Sequence, residues 1–268
     1  MASIGIGTGE STIGGLKEKV LQLNLKGESA TANIPEHVDG IDVQVKTNAS
    51  TEYYSCYEKT YETLKGGISL SSDYGTGSAC CRVYKGGTPY LLTARHVFTD
   101  DGTPCGNTGS NAYQGANFVG DVEGSKSTHD SLWININDQV SLSDGIIDES
   151  ADVKGWVTQS GLDTYSSDGT TLHKRGVETC KGSYTVDSYD NSLSNNCGNH
   201  TEVVDYNGDG GPGDSGGIIY FVSDKGNAFV SSLLSGGRTV DCGYFCSKEV
   251  VFGSAAYAMN NQYGLDFD

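Results

Sequence analysis

Proline is nearly absent, with 4 in 268 residues, and basic side chains are scarce: 17 Lys and Arg stand against 34 Asp and Glu, a formal net charge of -17. A chain of that sign is repelled by phosphate backbones, so nucleic acid is excluded as a partner. No run of 18 apolar residues exists, and no membrane span is expected. The opening MASIGIGTGE has neither a basic nor an apolar region of the kind an export signal needs. The eight cysteines, at Cys56, Cys80, Cys81, Cys105, Cys180, Cys197, Cys242 and Cys246, include no CxxC pair and no paired Cys/His spacing. That removes the usual zinc patterns, and neither a metal nor a cofactor is expected. An even number of scattered cysteines points instead to disulfides and an oxidising compartment. The acidic excess suits a protein kept soluble in strong salt, where screening weakens its self-repulsion, and equally an ordinary acidic secreted protein.

Glycine, in contrast, is abundant at 38 residues, and short Val, Ile, Tyr and Thr runs are divided by Gly, Asn, Asp and Ser clusters. That pattern predicts a mainly β chain. Two alternating runs, Val20 to Leu25 and Ile41 to Val45, predict strands near the front, followed by a polar, tyrosine-rich connector. Beyond it, strands are expected at Cys80 to Tyr84, Pro89 to Thr93, Ser131 to Ile136, Gly155 to Gln159, Glu202 to Val204, Gly217 to Val222 and Ala228 to Leu234. The one helical candidate is Ser254 to Gln262, with Ser254 as its N-cap. This division separates a small segment, 1–65, from a larger domain, 66–268.

Three motifs carry chemistry. Gly211-Pro212-Gly213-Asp214-Ser215-Gly216-Gly217 is followed by the apolar run from Ile218 to Val222. Acyl transfer needs a serine activated by a base and donors aimed at the developing oxyanion, and glycines around Ser215 let the N–H groups of Gly213 and Ser215 converge. Leu91-Leu92-Thr93-Ala94-Arg95-His96 ends an apolar strand on an imidazole, and His129-Asp130-Ser131-Leu132-Trp133 sets a carboxylate just before another.

In the order His, Asp, Ser, these motifs resemble the chymotrypsin-like serine peptidases, in a prokaryotic form that includes haloarchaeal members. The resemblance covers about residues 66–268. It implies two six-stranded antiparallel Greek-key barrels with a C-terminal helix, preceded by a small α+β segment that acts as a companion module or a pro-segment. It further implies a secreted endopeptidase acting on peptide or protein substrates, with His96 as base and acid, Asp130 as its orienting partner, Ser215 as nucleophile, and Gly213 and Ser215 as oxyanion hole. Ser235, Gly236 and Gly237 match the segment that pairs with substrate. Asp209, six residues before Ser215, matches the pocket base of trypsin-like members, although Tyr206-Asn207-Gly208-Asp209-Gly210 also reads as a plain turn. Cys81 with Cys105 would brace the base as a similarly placed bridge does in the family; of the 105 pairings that eight cysteines allow, Cys180 with Cys197 would close a hairpin-like loop and Cys242 with Cys246 a small one, with Cys56 and Cys80 left over. Arg95, where the family usually has a small residue, would lower the His96 pKa or crowd the ring. The alternative is a protease-fold surface or binding protein without turnover.

Overall fold

The computed structural model describes residues 3–13, 16–25, 37–38, 41–47, 56–195, 198–243 and 246–268. The chain forms two compact units, Met1–Tyr53 and Tyr54–Asp268. In the smaller unit, β1 (Ser3–Ile13), β2 (Leu16–Leu25), β3 (His37–Val38) and β4 (Ile41–Thr47) make one sheet in the order β1-β2-β4-β3. Both alternating runs of the front end lie in strands, β2 and β4. Among the described residues this unit contains strands only.

The larger unit begins before residue 66, since the stretch read as connector contributes β5 (Thr63–Gly66). Six strands then close a barrel: β6 (Ser69–Ser71), β7 (Thr76–Lys85), β8 (Thr88–Ala94), β9 (Asn111–Gln114), β10 (Asn117–Lys126) and β11 (Ser131–Ile136). Every pairing is antiparallel. Leu70, Leu91, Phe98, Leu132 and Ile134 are buried in its core. Next come β12 (Ser141–Ile146), β13 (Asp152–Trp156) and helix α1 (Gln159–Asp168). The helix replaces the end of the strand expected over Gly155 to Gln159. Thr158 caps it by accepting from the Gly161 N–H at 3.1 Å, and Gly169 ends it at φ 71°, so its signals lie in the caps and not in an apolar stripe.

A second ring follows: β14 (Thr171–Gly176), β15 (Cys180–Asn195), β16 (Gly198–Asn207), β17 (Ile218–Val222), β18 (Asn227–Gly243) and β19 (Cys246–Ala255). The order β17-β14-β15-β16-β19-β18 is closed by antiparallel pairing of β17 with β18. Helix α2 (Ala256–Tyr263) ends the chain. Ser254 does not cap it: the N-cap is Ala255, without a side-chain bond, and Ser254 is a buried member of β19. Leu92 and Trp133 of the first barrel pack with Ile218, Val230 and Leu233 of the second and with Met259 and Phe267 from the end of the chain. This shared core fixes the barrels against each other, so loops from both meet along one seam.

Candidate active site

His96 follows β8 in a 3-10 turn, Arg95–Phe98, pinned by buried Val97 and Phe98. Ser131 pairs with Ala94 across β8 and β11, and the Arg95 N–H donates to the Asp130 carbonyl at 2.8 Å. That register brings Asp130 beside the histidine. The Asp130 carboxylate accepts from the His96 backbone N–H at 2.9 Å and meets Nδ1 at 2.6 Å, with Asp130 only 1% exposed. An ionised carboxylate only accepts, so the proton sits on Nδ1 and Nε2 is left without one. Burial works to lower the His96 pKa, but the charge and hydrogen bond of Asp130 together outweigh it and hold it above the usual histidine value. Asp130 has φ 44° and ψ 38°, a left-handed conformation uncommon for a side chain other than glycine.

Ser215 lies in the loop between β16 and β17. Gly213 takes φ 112°, and at Gly216, φ 88°, a Cβ would stand 2.1 Å from the Ser78 carbonyl, so neither position suits another residue. Buried Asp214 anchors the loop: its carboxylate accepts from the N–H groups of Gly211, Glu178 and Thr179 at 3.0–3.1 Å, from Thr179 Oγ1 at 2.6 Å, and from Lys174 Nζ at 2.7 Å. Lys174 is itself fully buried, and burial lowers its pKa against the pull of Asp214. From the first barrel, the Ser78 N–H donates to the Ser215 carbonyl at 2.7 Å and Ser78 Oγ to the Gly213 carbonyl at 2.8 Å. Among the described residues no acceptor meets the N–H groups of Gly213 and Ser215. Ser215 Oγ is turned toward the Ser235 carbonyl, 3.5 Å away, and is not hydrogen-bonded to His96. Ser235 lines a cavity with His96 and Asp130, so the three motifs converge on one seam, with the His–Asp contact made and the Ser–His contact open.

The fold is that of the chymotrypsin-like serine proteases. Thermobifida fusca protease A superposes with a TM-score of 0.57 at 20% identity, over 76% of this chain and 97% of that one. A Nocardiopsis protease gives 0.57 at 21%, over 76% and 98%, and Cellulomonas bogoriensis chymotrypsin gives 0.54 at 18%, over 77% and 98%. No protein-family model matches the chain, and no curated protein does. These neighbours are bacterial.

Within this chymotrypsin-like frame, Ser215 opens on a cavity of about 480 Å³ whose lining includes Asp209, Leu234, Gly236, Gly237, Glu249 and Val251. Asp209 is exposed on that lining, while its carbonyl accepts from Tyr184 OH at 2.6 Å. Arg238 lines the same cavity, but its guanidinium is held by Asp205, with Nη2 at 2.5 Å from Oδ2. Asp209 and Glu249 have no ion-pair partner among the described residues. Ser235 to Gly237 lie where β18 has run past β17: Gly236 and Gly237 pair with Phe252 and Val251 of β19, and the opposite edge is open. Arg95 does not bear on the imidazole. It reaches away to Ser125 Oγ and to the Pro104 and Gly106 carbonyls, bracing the following loop.

The cysteines pair differently from expectation. Cys56 is bonded to Cys180, with Cα atoms 5.3 Å apart. This replaces Cys56 with Cys80 and Cys180 with Cys197. Cys80 and Cys81 are both free, so the Cys81–Cys105 bridge is absent. The register shift between Ala79 and Arg82 turns both neighbouring thiols into the core shared by the barrels, away from Cys105. Burial pushes the Cys80 thiol up, which makes it a packing residue. Cys105 is itself in a disulfide. The side chains of Cys197, Cys242 and Cys246 lie outside the described residues, and the Cys242–Cys246 pairing with them. Among the described residues no cluster of His, Cys, Asp or Glu is placed to hold a metal ion, and no helix is long and apolar enough to cross a membrane.

Sequence reasoning gave no role in the site to Lys174, Ser78 or Thr179. A lysine in the short strand β14 does not announce a buried partner 40 residues on; only the alternation Leu172-His173-Lys174, which turns Lys174 to the same face as buried Leu172, was a signal.

Proposed function

We propose that the chain is a secreted serine endopeptidase. The observation that carries this reading is the His96–Asp130 pair, made at 2.6 Å and set at the seam where Ser215 opens on a cavity. Rotation about the Ser215 side-chain bond replaces the contact with Ser235 by one with His96 Nε2; such contacts are often open without substrate. Nε2 then takes the hydroxyl proton as Oγ attacks the scissile carbonyl. The Gly213 and Ser215 N–H groups receive the oxyanion, and the imidazolium, stabilised by Asp130, gives its proton to the leaving amine. Water repeats the sequence to release the acid from the acyl-enzyme. The open edge at Ser235, Gly236 and Gly237 receives the substrate backbone as an added strand.

The primary pocket takes a basic side chain. Asp209 and Glu249, without ion-pair partners among the described residues, lie on its lining, and Leu234, Val250 and Val251 offer an apolar wall to an alkyl stem. The disulfide supports an extracellular location. The unit Met1–Tyr53 is proposed as a companion module or pro-segment of the peptidase unit Tyr54–Asp268. A fluorophosphonate that labels Ser215 in the intact protein, but not after Ser215→Ala or His96→Ala, establishes the activated serine. The open Ser215–His96 contact favours a second reading, a protease-fold binding protein, and an unlabelled Ser215 would select it.

A further inference from the structure

Behind the Asp130 carboxylate lies a line of buried polar groups that the acyl-enzyme chemistry does not use. Ser254 Oγ, fully buried on β19, donates to the carbonyl of His129, the peptide immediately before Asp130. His200, 3% exposed on β16, meets the same Ser254 oxygen through Nε2 at 2.7 Å. Because the hydroxyl proton is committed to the carbonyl, Oγ accepts from His200, which fixes the proton of His200 on Nε2. The other side of the same peptide is held by the His129 ring, with Nδ1 on Tyr263 OH at 2.6 Å and Nε2 on Glu202 at 3.1 Å.

These contacts surround a backbone that has a reason to relax. Asp130 is the left-handed residue, and its N–H and carbonyl are bonded to Ser127 and Arg95. A residue persists in such a conformation only when its surroundings over-determine it. The His129 carbonyl sets the plane of the peptide that leads into Asp130. Turning that plane swings the carboxylate away from His96.

We propose that Ser254 and His200 are positioning residues that hold the His129–Asp130 peptide in the orientation needed for Asp130 to engage His96, a role that rests on the peptidase reading for its consequence in turnover. Both come from the second barrel, whereas Asp130 and His96 come from the first, so the relay ties the histidine pair to the barrel that carries Ser215. The charged and titratable groups facing His200 are Asp130, His129, His96 and Glu202. Burial is the largest influence on its pKa and lowers it, consistent with a neutral ring that donates from Nε2.

The test is the titration of the His96 ring followed by NMR, with steady-state kinetics alongside, in the parent, Ser254→Ala, Ser254→Thr, His200→Phe and His200→Gln proteins. Ser254→Ala is expected to lower the His96 pKa and, in an active peptidase, to reduce kcat on the order of 10²-fold, as a misplacement of about 1 Å can, with KM unchanged. His200→Phe keeps a ring against Phe252 but has no donor, and moves both readouts the same way. His200→Gln and Ser254→Thr restore a donor and a hydroxyl, and return both readouts toward the parent. A folded Ser254→Ala or His200→Phe protein with the parent His96 titration and the parent kcat overturns the relay. If the parent fails to react with fluorophosphonate while its His96 titration still moves in these variants, the peptidase reading falls and the positioning role stands.

Discussion

Replacing Lys174 by methionine keeps the length of the side chain and removes its charge from a site with no access to water. Lys174 and Asp214 are each fully buried and 2.7 Å apart. At an effective dielectric constant of about 20, a pair at that separation attracts by roughly 6 kcal/mol, most of it set against the desolvation of both ions. Removing one partner of such a pair costs about 3–5 kcal/mol, because the other charge stays buried and uncompensated. Asp214 keeps three N–H donors and the Thr179 hydroxyl, so the lower end, about 3 kcal/mol, is expected. Urea unfolding monitored by tryptophan fluorescence reads this loss directly. Lys174→Met/Asp214→Asn, which buries no charge, should recover much of it. Activity should fall in the single variant by about 10²-fold, the scale for losing one oxyanion donor, since Asp214 anchors the loop carrying Gly213 and Ser215. A single variant within about 1 kcal/mol of the parent, or a double variant no more stable than the single, would refute this account.

Three further outcomes follow from the geometry. Asp130→Asn should cost on the order of 10⁴ in kcat through the wrong histidine tautomer; the acid limb of kcat/KM, above the usual histidine pKa in the parent because Asp130 raises His96, should move to lower pH in whatever activity survives, and near-parent turnover would dismiss the triad. Asp209→Ser should abolish preference for Lys and Arg in peptide-library cleavage and Glu249→Gln should weaken it; a profile indifferent to both changes would make Asp209 a turn residue. Removing the Cys56–Cys180 bond as a double serine variant frees a loop with a sequence separation of 124, for which chain entropy gives a loss of about 5 kcal/mol; because Cys180 follows the Glu178 and Thr179 donors to Asp214, activity should fall with stability, and a variant stable but inactive, or active but unstable, would separate the two roles.

What could be read from the chain depended on the distance over which each signal acts. Apolar runs bounded by turn residues, such as Ser131–Ile136 and Ile218–Val222, predict their strands because both faces are buried and the pattern is local. The long strands β15 and β18 run on into polar stretches in which each residue is chosen by cross-strand partners, and only the apolar start of β18 was visible. Helix α1 buries a single leucine, Leu162, and is defined by Thr158 and Gly169 at its ends, so periodicity had nothing to report. That the motifs of His96, Asp130 and Ser215 lie at strand ends was legible, because each adjoins a local apolar run. The Cys56–Cys180 disulfide was not, because the two residues meet only after both barrels have closed and the β14–β15 turn has been brought round.

The same distinction explains how the site is held. Asp130, at φ 44°, occupies a conformation that its backbone does not favour alone, and Gly213 and Gly216, at φ 112° and φ 88°, occupy ones open to glycine. None of these is secured by its own strand. The loop of Gly213 and Ser215, on the second barrel, is gripped by Ser78 of the first, and the peptide before Asp130, on the first barrel, is gripped by Ser254 of the second. Each barrel therefore holds a site segment of the other, and the bonds cross the seam in both directions. A disturbance of the packing between the barrels should then be felt at both halves of the site together. Trp133, whose ring is buried with Ile218 and Leu233 in that shared core, is the place to look. Trp133→Ala should cost about 3–5 kcal/mol as a large-to-small core change. Because it loosens the seam, it should also reduce kcat beyond what the unfolded fraction accounts for, measured with active-site titration to count competent molecules. A kcat per competent molecule equal to the parent's would show that each barrel keeps its own half of the site in order.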